Sequence, residues 1–209
     1  MTEQEQPQIY LISPPQPDEG FGETLASILD ARPIACFRLA LAENDEDLVL
    51  RSADALREIC HARDVPIVIE RHTLLVERLG LDGVHLPDAS VKLRDLRKDL
   101  GEDAIIGAFC GTTRHTGMTA AEAGADYVSF GPVSAGVLGD GNVAPLDLFE
   151  WWSEMIEVPV VAEGGVTVEM VEKLAPITDF LAVGSEIWRQ DAPLKALADL
   201  LAPLGNTAV

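Results

Sequence analysis

Two short segments near the carboxyl end of the chain combine residue types that suit phosphate binding. Gly164-Gly165 follows the apolar run 158–162, and Gly184-Ser185 follows the apolar run 180–183. Glycines expose backbone N–H groups, and such groups at the start of a helix can hold a dianion. We therefore predict that Gly164, Gly165, Gly184 and Ser185 bind phosphate. The alternative is that the glycines only make tight turns between strand and helix.

A third segment, Gly124 to Asn142, runs from a turn through residues 127–130 into a glycine-rich loop. This order is typical of a buried strand that leads into a flexible loop. The loop contains Ser134, Gly136 and Asp140, and we expect it to lie over the site.

Two side chains near these segments could transfer protons. Glu163 directly precedes the glycine pair and is interpreted either as a catalytic or metal-binding carboxylate or as a structural hydrogen-bonding group. His115 follows Arg114 on the first turn of a predicted helix, where an unperturbed pKa of about 6.5 would suit proton transfer. The alternative for His115 is a solvated surface side chain. His85 lies inside a predicted strand and is expected to be a hydrogen-bonded barrel residue.

The order of strands and helices indicates where these segments meet. Strand and helix signals alternate along the chain, as in the strand Gln8–Ser13 and the helical spacing of apolar residues between Phe21 and Asp30. Eight strands and eight helices at spacings of about 25 residues predict a single (β/α)₈ TIM barrel. A doubly wound open sheet is the alternative. In a barrel the site lies at the carboxyl ends of the strands, and the loops after the last two strands bind phosphate.

The composition indicates one cytoplasmic domain over residues 1–209. The chain of 209 residues is 47% hydrophobic, and no linker divides it. No run reaches the roughly 18 apolar residues of a membrane span, and the acidic N-terminus differs from a signal peptide. The net charge of −20 disfavours binding to nucleic acid or to a membrane surface. The three cysteines, Cys36, Cys60 and Cys110, predict buried or idle thiols in a reducing compartment.

Several motifs occur along nearly the whole chain, from Ile9 to Ile187. They are Gly83-Val-His-Leu86, Gly124-Ala-Asp-Tyr-Val128 with Phe130-Gly-Pro132, Pro159-Val-Val with Gly164-Gly-Val166, and Ser185 with Ile187. In the order and spacing of these motifs the chain resembles the thiamine phosphate synthase/TenI family. The resemblance implies a TIM barrel, Mg²⁺ as cofactor, and the joining of a hydroxymethylpyrimidine diphosphate to a thiazole phosphate with release of pyrophosphate.

The resemblance also implies roles for individual residues. The family's second strand usually offers Gln-x-Arg-x-Lys to the diphosphate, and Arg38 matches its arginine. Glu70 stands at the end of the third strand, where the family has Asn-Asp-Arg, and could ligate a metal. Asp88 lies two positions away from the family's Mg²⁺-binding aspartate and could replace it only if the loop is rearranged.

Other positions depart from the family pattern. Ser134 to Asp140 replaces the family's Pro-Thr-x-Thr-Lys, and Phe109-Cys110-Gly111 replaces the Ser-x-His whose histidine shuttles protons in TenI. Cleaving a carbon–diphosphate bond requires cations around the leaving group and oxygen ligands for Mg²⁺. These departures therefore predict weak synthase chemistry.

Three functional hypotheses follow. The chain is a thiamine phosphate synthase-type transferase with a divergent site, a noncatalytic or regulatory barrel that binds a phosphorylated ligand, or a phosphosugar isomerase or epimerase that uses Glu163. Each predicts a small phosphorylated molecule as partner. Trp151 and Trp152 are expected to pack a helix against the barrel or to form a homodimer contact.

Overall fold

The eight strands of the protein close into a barrel. The computed structural model describes residues 6–42, 46–89, 93–135 and 141–205. All strand pairs are parallel and follow chain order, and β8 pairs with β1. This closure confirms the predicted (β/α)₈ barrel and excludes an open sheet. The strands are β1 Gln8–Ile12, β2 Cys36–Leu39, β3 Ile67–Glu70, β4 Gly83–Leu86, β5 Ile105–Phe109, β6 Tyr127–Phe130, β7 Val160–Ala162 and β8 Phe180–Val183.

Helices follow the strands and cover the outside of the barrel. They are α1 Phe21–Ala31, α2 Glu46–His61, α3 Leu74–Leu79, α4 Leu93–Leu100, α5 Arg114–Glu122, α6 Leu146–Met155, α7 Val168–Leu174, α8 Ser185–Trp188 and α9 Pro193–Leu200, with a 3₁₀ helix at Ala202–Leu204. The short α8 and the 3₁₀ helix are additions to the predicted eight helices. Among the described residues, no helix is long and apolar enough to cross a membrane.

Local sequence explains why these helices form and which face they bury. In α1 the residues Phe21, Leu25, Ile28 and Leu29 recur at helical spacing, and all four are buried. The side chain of Thr167 caps α7 by accepting a hydrogen bond from the N–H of Met170. The helices therefore bury apolar stripes against the barrel and form the larger hydrophobic core.

A second and smaller core fills the barrel itself. It contains Tyr10, Cys36, Val68, Tyr127, Val161 and Ala182. The hydroxyls of Tyr10 and Tyr127 lie 2.6 Å apart, and Nδ1 of His85 lies 2.9 Å from the hydroxyl of Tyr127. This buried chain satisfies all three polar groups and confirms the expectation for His85.

The remaining sequence expectations about packing concern the cysteines and tryptophans. All three cysteines are free and buried, and burial raises the pKa of each thiol to about 12. They are therefore protonated and unreactive at neutral pH. Trp152 is fully buried and donates a hydrogen bond from Nε1 to the carbonyl of Val158, which confirms its packing role. Trp151 is half-buried.

Gly107 makes room for the aromatic ring at the centre of the barrel. A Cβ atom at this position would lie 1.9 Å from Cζ of Tyr127. Gly107→Ala should therefore lower the free energy of unfolding by about 1–3 kcal/mol, because the ring must move or the strand must shift.

Urea unfolding of both proteins measures this loss. The matched control is Gly20→Ala, where φ is −91° and the nearest atom to the new methyl group lies 3.8 Å away. A loss for Gly107→Ala no larger than the loss for the control would contradict the packing explanation.

Candidate functional site

The carboxyl ends of the strands form an open cavity of about 470 Å³. The loops after β1, β7 and β8 make most of its wall. Its polar lining includes Ser13, Arg38, Glu163, Ser185, Glu186 and Arg189. The position is the one at which barrel enzymes carry their sites, and several of the residues predicted from sequence meet there.

A buried ion pair crosses the floor of this cavity. Arg38 in β2 is 5% exposed and donates from both terminal nitrogens to Glu163, at 2.9 Å to Oε2 and 3.3 Å to Oε1. Glu70 at the end of β3 adds a weaker contact, with its Oε2 3.8 Å from Nε of Arg38. Planar pairing through two nitrogens is the geometry in which arginine binds carboxylate most strongly. Three of the predicted residues are therefore in direct contact.

The environment of Arg38 keeps it charged. Burial by itself lowers the pKa of the guanidinium, but the carboxylate of Glu163 and the nearby Tyr10 outweigh burial and hold that pKa above its usual range. The Arg38 guanidinium also lies over the Tyr10 ring, 5.8 Å from its centroid. The cation that family resemblance assigns to a diphosphate is thus already neutralised within the protein.

Two buried polar atoms on the described barrel strands lack a hydrogen-bond partner, and one of them belongs to Arg38. Within the described part of the chain, Nε of Arg38 and Oγ of Ser129 have no hydrogen-bond partner. A buried polar atom without a partner is costly and often indicates the position of a ligand or a water molecule. These two atoms are therefore candidate contacts for a polar ligand.

Backbone N–H groups of two of the four residues predicted to bind phosphate, Gly165 and Gly184, converge with that of Val166 on one carboxylate. Gly165 and Val166 donate to Oε1 of Glu186, at 2.9 Å and 3.2 Å, and Gly184 donates to Oε2 at 2.9 Å. Gly164 and Gly165 have φ values of 82° and 78°, a conformation that favours glycine. Both carboxylate oxygens of Glu186 thus accept hydrogen bonds from these backbone groups, which together are called the cradle.

The other described residues that were predicted to bind phosphate or to lie over the site either line the cavity or contact the glycine pair. Gly164 and Ser185 line the cavity. Oγ of Ser134 donates to the carbonyl of Gly165 at 2.5 Å, and a Cβ atom on Gly165 would lie 2.3 Å from that Oγ. Ser134 therefore holds the glycine pair in place. Gly136 and Asp140, which were also assigned to this loop, lie outside the described residues.

Two predicted residues lie apart from the cavity. His115 is exposed on the first turn of α5 and does not line the cavity. Its position agrees with the alternative of a solvated surface histidine. Asp88 is exposed in the segment that follows β4. Neither residue is among those that line the cavity.

The carboxylates of the described residues would bind Mg²⁺ only together with oxygen atoms of a bound substrate. Among the described residues, no group of three or more histidine, cysteine, aspartate or glutamate side chains could hold a metal ion. Glu70 contacts Arg38 and also Arg71, whose Nε lies 3.3 Å from Oε1. Mg²⁺ is usually held by one or two carboxylates together with substrate phosphates. Glu70 offers one carboxylate for such a shared site, and Asp88 would join it only after a rearrangement of its loop.

Sequence reasoning missed several contributors to the site. Tyr10 and Tyr127 were read only as strand residues, and Val166 was not expected to donate. Glu186 was noted beside Ser185 but given no role. An acidic residue directly after a glycine-serine pair was the available signal, since a carboxylate near bare N–H groups is a natural acceptor.

The Arg38–Glu163 pair should contribute strongly to stability. Glu163→Gln should cost about 3 kcal/mol of unfolding free energy, because the buried guanidinium loses its main counter-charge. Arg38→Met should also destabilise the protein, and the double variant should lose less unfolding free energy than the sum of the two single losses.

Urea denaturation of the three variants measures the coupling. Asp30→Asn, which breaks the exposed pair with Arg63, is the control and should change little. Strict additivity would contradict the proposed coupling.

His85 should make the protein less stable in acid. Burial and then Arg38 lower the pKa of His85 well below its usual value. Below about pH 6.5 the unfolded chain binds a proton at this position and the folded chain does not, so stability falls as pH falls, by up to about 1.4 kcal/mol per pH unit. His85→Asn keeps a partner for Tyr127 and removes the titration. Unfolding midpoints between about pH 7 and about pH 5 should therefore fall less steeply in this variant, and parallel curves would contradict the assignment.

Comparison with known proteins indicates one family along most of the chain. The family model "Thiamine monophosphate synthase" matches residues 9–187. The thiamine-phosphate synthase of Rhodospirillum centenum is 41% identical over 91% of this chain and 94% of its own length. The enzyme of the same name from Erythrobacter litoralis is 38% identical over 97% and 99%, respectively.

A solved structure agrees with the fold. The thiamine phosphate pyrophosphorylase from Pyrococcus furiosus superposes with a TM-score of 0.80 at 21% identity, over 92% of this chain and 93% of that protein. At this identity the superposition supports the barrel, whereas the family model and the closer relatives carry the family assignment. The chain belongs to the thiamine monophosphate synthase family.

Proposed function

We propose that the chain binds a phosphorylated thiazole- or pyrimidine-type ligand of thiamine biosynthesis in the cavity at the mouth of the barrel. The observation that carries this proposal is the convergence of the Gly165, Val166 and Gly184 N–H groups on one anionic group. Backbone donors in the loops after β7 and β8 are the usual phosphate site of this fold. In a chain with net charge −20, such local donors are needed to hold an anion.

The neighbouring groups suit the remainder of such a ligand. Arg189 lines the cavity, and in the described part of the chain no ion pair involves it. Arg38 also lines the cavity, and its Nε, which has no hydrogen-bond partner among the described residues, offers a further polar contact. The names of the relatives, thiamine-phosphate synthases, agree with a ligand of this class.

Synthase turnover should be slow in this protein. Release of a diphosphate leaving group depends on preorganised cations, and loss of one such contact typically costs about 2.7–4 kcal/mol in the transition state. Arg38 is neutralised by Glu163, so its charge is available to a leaving group only in part. The same pairing supports the alternative of a regulatory barrel that binds the ligand without converting it.

In this proposal Mg²⁺ would be held by Glu70 together with the oxygens of a bound diphosphate, and Asp88 would contribute only if its loop is rearranged. The ion would supply the charge neutralisation that the Arg38–Glu163 pair withholds. The geometry gives no support to an epimerase in which Glu163 is the base, because both of its oxygens accept hydrogen bonds from Arg38.

Calorimetric titration with thiazole phosphate, thiamine phosphate and inorganic phosphate tests ligand binding. The matched control is the thiazole alcohol without its phosphate, which lacks the group that the cradle recognises. Thiazole phosphate should bind at least about tenfold more tightly than the alcohol, because charged acceptors strengthen N–H hydrogen bonds. Equal affinity for the two, or no binding of any phosphorylated compound, would refute the proposal.

A coupled assay with both synthase substrates and Mg²⁺ distinguishes the enzyme from the regulatory barrel. We expect turnover well below the common enzyme range of about 1–10³ s⁻¹. Turnover within that range would show that the Arg38–Glu163 pair opens when substrate binds. Complete absence of turnover, with intact binding of thiazole phosphate, would favour the regulatory barrel.

A further inference from the structure

We propose that Glu186 is an internal competitor of the ligand's phosphate group and thereby lowers the affinity of the cradle for every phosphate ligand. The inference rests on the proposed function, since it concerns the same phosphate site. Glu186 accepts hydrogen bonds from the N–H groups of Gly165, Val166 and Gly184, which lie in two different loops. Those N–H groups cannot serve a phosphate fully while the carboxylate accepts from them.

Charge makes simultaneous occupancy unfavourable. A phosphate dianion beside the Glu186 carboxylate would place like charges a few Å apart in a half-buried environment, where solvent screens them weakly. The described cations nearest in the cavity lining are Arg38, which Glu163 neutralises, and Arg189. Ligand binding therefore requires the Glu186 side chain to leave the cradle.

A second cavity offers space for the displaced side chain of Glu186. This cavity of about 550 Å³ lies on the other side of Glu186, between the start of α7 and α9, and Glu186 lines both cavities. Lys195 lines the second cavity, where it pairs with the exposed Asp199. Rotation of Glu186 into this cavity would take its carboxylate away from the phosphate, into a lining that also contains Asp191 and Asp199.

Internal competition has a specific consequence for how fully each ligand occupies the site at a given concentration. The affinity of every phosphate ligand is reduced by the same factor, namely the fraction of molecules whose cradle is open. Small anions that offer only a phosphate group then bind weakly, whereas a ligand with further contacts in the cavity still binds. Glu186 would thus protect the site from inorganic phosphate.

Titration of Glu186→Ala with thiamine phosphate and with inorganic phosphate tests this inference. Both should bind about tenfold to a hundredfold more tightly than to the unmodified protein, and by the same factor, because the charged acceptor has been removed from the cradle. Glu186→Gln should give a smaller gain, since its amide oxygen can still accept from the cradle. Glu172→Ala, an exposed residue of α7 with the same change in charge, is the control and should leave both affinities within about twofold.

Amide resonances provide a second measurement in the same variants. In Glu186→Ala the N–H signals of Gly165, Val166 and Gly184 should move towards the positions of free amides, and phosphate should move them back. Unchanged or weaker binding in both Glu186 variants, with unfolding midpoints like that of the unmodified protein, would overturn the role of Glu186 and leave the proposed function standing. Failure of the unmodified protein and of every variant to bind either probe would overturn the proposed function as well.

Discussion

Closure of the sheet between β1 and β8 is the constraint on which the site depends. The pairing Leu11↔Val183 brings the end of the last strand beside the first, so that the loops after β7, β8 and β1 surround one cavity. Closure also lets Arg38 reach Glu163 from the other side of the barrel mouth, although 125 residues separate them in the chain. In an open sheet these groups would lie on distant strands.

At this end of the barrel, two carboxylates of the protein itself accept hydrogen bonds from the groups that are proposed to bind anions. Glu163 accepts from the buried guanidinium, and Glu186 accepts from the backbone cradle. Buried donors and charges are costly when they lack a partner, so the two carboxylates stabilise the protein when no ligand is bound. The same contacts oppose a ligand of like charge. Affinity and stability are therefore coupled through the same few hydrogen bonds.

Prediction from sequence succeeded where one local signal determines one local structure. The apolar spacing between Phe21 and Asp30 follows from helical periodicity and agrees with α1. The four-residue α8 was missed because so short a helix has no period to detect. His115 was a candidate for proton transfer, with a solvated surface position as the alternative. It is exposed, because a titratable residue near a barrel mouth need not face the site.

By itself, the amino-acid sequence determined the barrel, the family and the loops that carry the anion-binding groups, because these follow from repeated local patterns and from motifs in a fixed order. Only the tertiary structure decided what those groups contact. The pairing of Arg38 with Glu163 and the entry of Glu186 into the cradle depend on side chains that meet only after β8 closes onto β1. Contacts of this kind follow from the distances between elements, which local sequence patterns do not encode.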